Sequence, residues 1–234
     1  KHQQIHLVLE MNKFKEKNYF VIKKAISKEF AEFIYNYLVL KSNVVNNLFK
    51  DKYLEPFNTD LGTFGINEQV NIPETYCCYG DFVMETLLLK LKGKMEKLTK
   101  LQLIPNYSYT RLYRRGSILP KHKDRFSCGI STTLNLGGDP WPIYIEPDST
   151  YGNKSPQGKY IMSDSKGVKV DLAPGDMLVY NGIDCEHWRE EFKGEKCGQV
   201  FLHYQENTQR GLANKFDGRP APGFPAFYRQ SNED

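Results

Sequence analysis

From Ile104 onward the chain changes texture, as helical spacing gives way to short β-branched and aromatic runs punctuated by Gly and Pro. Strands are predicted over 106–114, 129–136 (GISTTLNL), 142–146 (PIYIE), 159–162, 168–172 (VKVDL), 177–181 (MLVYN) and 198–205 (GQVFLHYQ). Short strands packed this densely must bury one face and hide their edges. The expected solution is a double-sheet barrel or jelly roll.

The first hundred residues read differently. NYFVIKK, residues 18–24, is aromatic and β-branched enough for a strand. Ser27 is then a natural N-cap, and Phe30, Phe33, Ile34, Tyr37 and Leu38 follow at helical spacing to about residue 49. Residues 51–79 keep no steady period and hold Pro56, Gly62, Gly65 and Pro73, which reads as loop with short pieces of structure at most. A second helix is predicted from Asp81 to about Leu101, with Met84, Leu87, Leu88, Leu91, Met95 and Leu98 as its core stripe. The expected fold class is therefore mainly β with flanking helices: a double-stranded β-helix (jelly roll) core over about 104–205, with the N-terminal helices packed on one sheet.

With 234 residues, 40% of them hydrophobic, the chain can bury one good core. A single domain is expected over 11–234. Residues 1–10, KHQQIHLVLE, read as a remnant before a natural start at Met11. The tail, 206–234, is rich in Gly, Pro, Arg and Asn. Its RPAPGFPAFYR segment (219–229) is expected to strap onto the domain's own surface rather than serve as a proline-rich ligand.

The formal charge is only +4, with Lys scattered among Glu and Asp, so nucleic acid is not indicated. No apolar run approaches the ~20 residues needed to span a bilayer, and no signal-peptide pattern is found. A soluble, cytoplasmic protein is expected. Five cysteines, with no C-x-x-C pair, argue against a disulfide framework and against a thiolate zinc site. They read as buried, reduced thiols.

YTRLYRRGSILPKHKD, residues 109–124, ends in His122 and Asp124. In extended backbone, residues two apart point the same way, so an imidazole and a carboxylate converge on one point. Alone the pair is weak. With 5 His and 28 acidic residues, roughly one chain in two of this make-up carries a His-x-acid by chance. His187, in a strand-like setting downstream, raises its value. Two His and one carboxylate on one face of a metal leave the remaining positions open, as in non-haem Fe(II) sites. A jelly roll also brings distant strands together, which His122 and His187 require.

Tyr113, Gly116, His122 and Asp124 fit Y-x-x-G-x-x-x-x-x-H-x-D, and PGDMLVYNG (174–182) precedes His187. In these motifs, from about Asn106 to Tyr204, the chain resembles the Fe(II)/2-oxoglutarate-dependent dioxygenases. Within them it is most similar to the prolyl 4-hydroxylase-type branch, which includes small single-domain viral and bacterial members. The resemblance implies Fe(II) held by His122, Asp124 and His187. It also implies 2-oxoglutarate and O2 as cosubstrates, ascorbate as a possible reductant, and hydroxylation of a substrate C–H with release of succinate and CO2. Asp124 favours hydroxylation, because halogenating relatives lack that carboxylate.

Relatives anchor the distal carboxylate of 2-oxoglutarate with an Arg or Lys nine or ten residues after the second His. The resemblance therefore makes Lys196 the first choice, with Gln199, Arg189 and Arg111 next. Tyr113 is expected to donate to a carboxylate of the cosubstrate, with Tyr109 and Arg111 on its face, and Thr133 is a further hydroxyl donor. Arg125 and Trp141 are candidates for substrate contact, by ion pairing and by stacking, with Tyr109 beside them. His203 is expected to be a core or supporting imidazole. Residues 148–167 are loop, read either as a lid over the metal or as a plain hairpin excursion. The expected partner is a peptide or small-molecule substrate. Two other classes stay open: a cupin-like metal-binding jelly roll without oxygenase chemistry, and an inactive binding module, against which an intact ligand triad argues.

Overall fold

The strand-rich half and part of the N-terminal half fold into two main sheets. The computed structural model describes residue 14 and residues 16–53, 65–69 and 72–230. The expectations for residues 1–10 and Met11 lie outside the described residues. In chain order the strands are β1 (Tyr19–Ile22), β2 (Gly65–Gln69), β3 (Ile72–Tyr79), β4 (Leu103–Arg114), β5 (Leu119–His122), β6 (Ile130–Gly138), β7 (Ile143–Glu146), β8 (Asn153–Lys154), β9 (Tyr160–Ile161), β10 (Val168–Val170), β11 (Met177–Asn181), β12 (Glu186–Arg189) and β13 (Lys196–Glu206). Helices are α1 (Lys28–Lys50), α2 (Phe82–Thr99) and the short α3 (Gln209–Ala213).

A seven-stranded sheet runs β1-β11-β6-β13-β4-β3-β2, and a four-stranded sheet runs β10-β7-β12-β5. Every pairing within them is antiparallel. This is the jelly roll that the strand density predicted. Ile143, Ile145 and Val170 of the small sheet pack with Leu178 and Tyr180 of the large one, gluing the two layers. Both helices cover the opposite face of the large sheet, α1 against β6 and α2 against β4 and β13.

Local chemistry explains where the helices start. Ser27 is extended, and its side chain accepts the Phe30 N–H at 3.1 Å, a cap that contributes about 1 kcal/mol. Asp81 caps α2 through the N–H groups of Val83 and Met84 at 2.9 and 3.2 Å, and also pairs with Lys41 and accepts the Tyr37 hydroxyl. The predicted α2 stripe is buried as expected. The α1 stripe is rotated: Phe30 and Phe33 are exposed, while Ala31, Ile34, Leu38 and Val45 are buried. Two sheet glycines explain the rotation. Tyr35 lies against Gly137 and Gly198, where a Cβ would stand 3.1 and 2.7 Å from its ring atoms, so α1 turns that side inward.

Three expectations are corrected. Residues 51–79 are not all loop, since β2 and β3 form a hairpin that extends the large sheet from β4. Their sequence has no clean alternation, and backbone pairing with β4 supplies what periodicity did not announce. Strands β5 and β12 are given no bounds in the sequence, although His187 reads as strand-like, because LPKH and EHWR mix polar and apolar residues. The predicted strand at 159–162 shrinks to β9, which pairs only with β8.

Residues 206–230 pack on the rest of the chain. Arg219 is buried there, donating to Glu85 Oε2 at 3.1 Å, to the Asn106 carbonyl at 2.9 Å and to the Phe224 carbonyl at 2.7 Å. No helix among the described residues is long and apolar enough to cross a membrane.

Candidate metal centre

Strands β5 and β12 lie side by side with His122 directly opposite His187. Their rings are 4.2 Å apart between centroids. Asp124 follows β5 by two residues, where its N–H donates to the Gly182 carbonyl at 2.8 Å. Its Oδ1 then lies 3.8 Å from His122 Nε2 and 3.7 Å from His187 Nε2. Bonds of about 2.1 Å at right angles set ligand atoms roughly 3 Å apart, so closing these three atoms on one ion takes a shift below 1 Å.

The tautomers suit a metal. His122 Nδ1 is 2.8 Å from the Pro120 carbonyl and His187 Nδ1 is 3.0 Å from the Cys185 carbonyl. Each Nδ1 is thereby the donor, which leaves each Nε2 with a lone pair aimed at Asp124. Ser131 Oγ donates to Asp124 Oδ2 at 2.8 Å and orients the carboxylate. Gly182 is packed under it, since a Cβ there would lie 2.5 Å from Asp124 Oδ2. Ser131, Gly182 and Tyr180 were not singled out from the sequence. Only the PGDMLVYNG stretch carried a hint of the last two.

Burial pushes His187 down to about 4, helped by the neighbouring His122, and burial likewise pushes His203 down to about 4. Both rings stay neutral in the folded chain, whereas the unfolded chain takes up protons below the ordinary value of 6.5. The unfolded state binds more protons between those limits, so stability rises with pH across the window and is lost as pH falls. The slope is about 1.4 kcal/mol per pH unit for each ring. Denaturant midpoints of the metal-free protein should fall steadily on acidification from pH 6.5 to 4.5, and His203→Gln should remove about half of that slope. A flat profile would show both rings already charged when folded.

A small cavity of about 140 Å³ adjoins the three ligands, walled by Tyr107, Tyr109, Arg111, Tyr113, Tyr180 and His203 among others. That is far below the roughly 300–1,000 Å³ of sites for drug-sized ligands. It fits one compact molecule. Arg111 is buried, with Nε donating to Thr75 Oγ1 at 2.7 Å and its guanidinium 5.6 Å from the Tyr113 ring centre. Arg189, two residues beyond His187, is also buried. It donates to the Trp141 carbonyl and, at 3.3 Å each, to Thr133 Oγ1 and Gln199 Oε1. Its Nε has no hydrogen-bond partner, and no carboxylate pairs with it among the described residues. A buried charge left so costs several kcal/mol.

Other expected site residues lie elsewhere. Lys196 is exposed at the start of β13, opposite Arg114, and is no part of the cavity wall; Arg189, though buried, is likewise not among the residues that wall the cavity. In β13 the inward positions of the alternation fall to Cys197, Gln199 and Phe201. Arg125 is held by Ser127 Oγ and Asp217 Oδ2, both at 2.7 Å, so it braces the tail rather than facing the cavity. Trp141 is buried against Tyr113 and Phe192, with its Nε1 donating to the Glu190 carbonyl at 2.7 Å. Tyr109 does line the cavity, stacked beside Phe201.

The 148–167 excursion lies on the outer side of the small sheet. Tyr160 and Ser163 donate to Glu186, and Lys121 donates to the Ser163 and Ser165 carbonyls. Lys121 and Glu186 alternate with His122 and His187 along their strands, so they face away from the metal ligands.

No family model and no curated protein matches the sequence. Solved structures do match in shape. A prolyl-4-hydroxylase from Pseudomonas putida is 12% identical, with 86% of this chain and 100% of that one covered at a TM-score of 0.54. The epimerase SnoN from nogalamycin biosynthesis, solved with Fe3+, alpha ketoglutarate and nogalamycin RO, is 10% identical over 88% of this chain and 85% of its own, at 0.63. EctD from S. alaskensis, solved with 2-oxoglutarate and 5-hydroxyectoine, is 12% identical over 85% of this chain and 75% of its own, at 0.55. The chain has the 2-oxoglutarate/Fe(II) oxygenase fold. Within this fold His122 and His187 come from the neighbouring strands β5 and β12, Asp124 follows β5, and the buried arginines Arg111 and Arg189 come from β4 and β12.

Proposed function

We propose that the protein is an Fe(II)- and 2-oxoglutarate-dependent dioxygenase that hydroxylates a substrate C–H bond and releases succinate and CO2. The observation that carries the reading is the convergence of His122 Nε2, His187 Nε2 and Asp124 Oδ1 beside a cavity walled by Tyr113 and the buried Arg111. His122, His187 and Asp124 would hold the iron on one face. Bound there, Fe(II) supplies the open coordination positions at which the 2-oxo acid and O2 react.

The protein's part is positioning. The two backbone-tethered imidazoles present fixed lone pairs, and Ser131 holds the carboxylate. Arg189 would pair with the distal carboxylate of 2-oxoglutarate, its guanidinium steadied by Thr133 and Gln199. That pairing would discharge the cost of an otherwise uncompensated buried charge. Tyr113 and Arg111 complete the wall around the cosubstrate. A peptide prolyl residue is the substrate we infer, on the Y-x-x-G-x-x-x-x-x-H-x-D pattern together with the shape shared with the bacterial prolyl-4-hydroxylase.

Anaerobic addition of Fe(II) and 2-oxoglutarate should produce the weak visible metal-to-ligand charge-transfer band, and its absence would remove the reading. Succinate release across peptide, amino-acid and nucleotide panels, with mass spectrometry for one added oxygen, tests the substrate. Turnover that stays uncoupled with every peptide would eliminate the prolyl assignment.

The anchor can be tested separately. Arg189→Met should raise the 2-oxoglutarate requirement at least tenfold, about 1.4 kcal/mol, while iron binding persists. Lys196→Ala should change nothing. The opposite pattern would return the anchor to Lys196.

A further inference from the structure

Asp124 has a second oxygen, and its surroundings are not those of a simple brace. Cys128, His203 and Asp124 each bring a ligand atom within 4.8 Å of the other two. Ser131 Oγ joins them, 2.8 Å from Asp124 Oδ2, 2.9 Å from His203 Nδ1 and 2.8 Å from the Cys128 carbonyl. One hydroxyl proton cannot serve both oxygens at once. The Cys128 thiol lies 3.0 Å from the Tyr107 hydroxyl. Cys128 and His203 are buried, yet His203 and Tyr107 border the cavity, which gives an ion a way in.

We propose that Cys128, His203 and Asp124, the last through Oδ2, form a second metal site selective for a thiophilic divalent ion such as Zn(II). The chemistry differs from the first site in one ligand. His122, His187 and Asp124 offer only nitrogen and oxygen, which suit Fe(II). The Cys128 sulfur turns the other set into the S, N, O combination that zinc and cadmium favour. Binding converts the thiol to thiolate and releases its proton to solvent, with no change in oxidation state. Both sites draw on one carboxylate, so an ion at either site weakens binding at the other, reciprocally. The second site would thus give thiophilic metals a hold on the first without touching His122 or His187.

Cobalt(II) is the probe, because thiolate ligation to it produces an intense near-ultraviolet charge-transfer band that nitrogen and oxygen ligands do not. Titration of the metal-free protein should reach two equivalents and develop this band. Cys128→Ser should abolish the band and reduce the stoichiometry to one, while His122→Ala, at a part-exposed position, should keep the band and lose the other equivalent. Cadmium(II) added to the unaltered protein should give its own ultraviolet thiolate absorption, a result that needs no variant to fold. Saturation at one equivalent without thiolate absorption, or a band that survives in Cys128→Ser, would overturn the proposal. Neither result bears on whether His122, Asp124 and His187 bind iron.

Discussion

Asp124→Ala should bind Fe(II) at least 100-fold more weakly, about 2.7 kcal/mol, and should release no succinate above the rate without metal. The substitution removes the one anionic ligand, and both imidazole Nε2 atoms then face an empty corner. Removal of groups that merely orient metal ligands costs 10- to 100-fold, so loss of a ligand itself sits at or beyond that range. The fold should survive. Asp124 is part-exposed, and its backbone bond to the Gly182 carbonyl is retained in alanine. His187→Ala is a poorer test of the same point, because that ring is buried against Tyr180 and its loss leaves a cavity. Calorimetric iron titration and far-ultraviolet circular dichroism on Asp124→Ala separate the two effects. Iron affinity within tenfold of the unaltered protein would move the metal away from this centre, and the oxygenase reading with it.

Arg219→Ala should be the most destabilising single change in the tail, at about 3–5 kcal/mol. Arg219 is fully buried and Glu85 nearly so, with 0% and 3% side-chain exposure, and the two lie 3.1 Å apart. Without the guanidinium, Glu85 keeps its bonds from the Ser108 N–H and hydroxyl at 2.7 and 2.9 Å but loses its compensating charge. The carbonyls of Asn106 and Phe224 lose their donor as well. Denaturant unfolding should show the fall in midpoint. The Glu85→Gln/Arg219→Met pair should recover much of the loss, because neutral groups of similar size leave no stranded charge. A loss below about 1 kcal/mol in Arg219→Ala would mean that the tail docks without help from this pair.

The same chemistry separates what could be read early from what could not. The cap residues Ser27 and Asp81 and the α2 stripe follow local rules, and these rules held. So did the β-branched and aromatic runs of β4, β6, β11 and β13, which are buried on both faces, between the helices and the small sheet. The edges of the small sheet obey no such pattern. EHWR is buried at every position because Glu186 and Arg189 find polar partners, and no hydrophobic count reveals that. The anchor failed for a related reason. Sequence separation points to Lys196, but strand phase turns it to solvent. The buried cations are Arg111 and Arg189, the latter held by Thr133 and Gln199 from two other strands.

The order of the residues alone indicated a strand-rich sandwich with two helices on one side, and singled out a His-x-Asp pair and a distant His as the candidate centre. The helices and strands rest on interactions within a few positions of each other, where spacing dictates direction, whereas the pairing with His187 came from the resemblance to a family. Only the tertiary structure decided that His122 faces His187 across one strand pair, that Arg189 lies buried with no acid against it among the described residues, and that Cys128 and His203 come within 4.8 Å of Asp124. Such meetings depend on which strands become neighbours and in what register, and a one-residue slip would turn every one of these side chains to the opposite face.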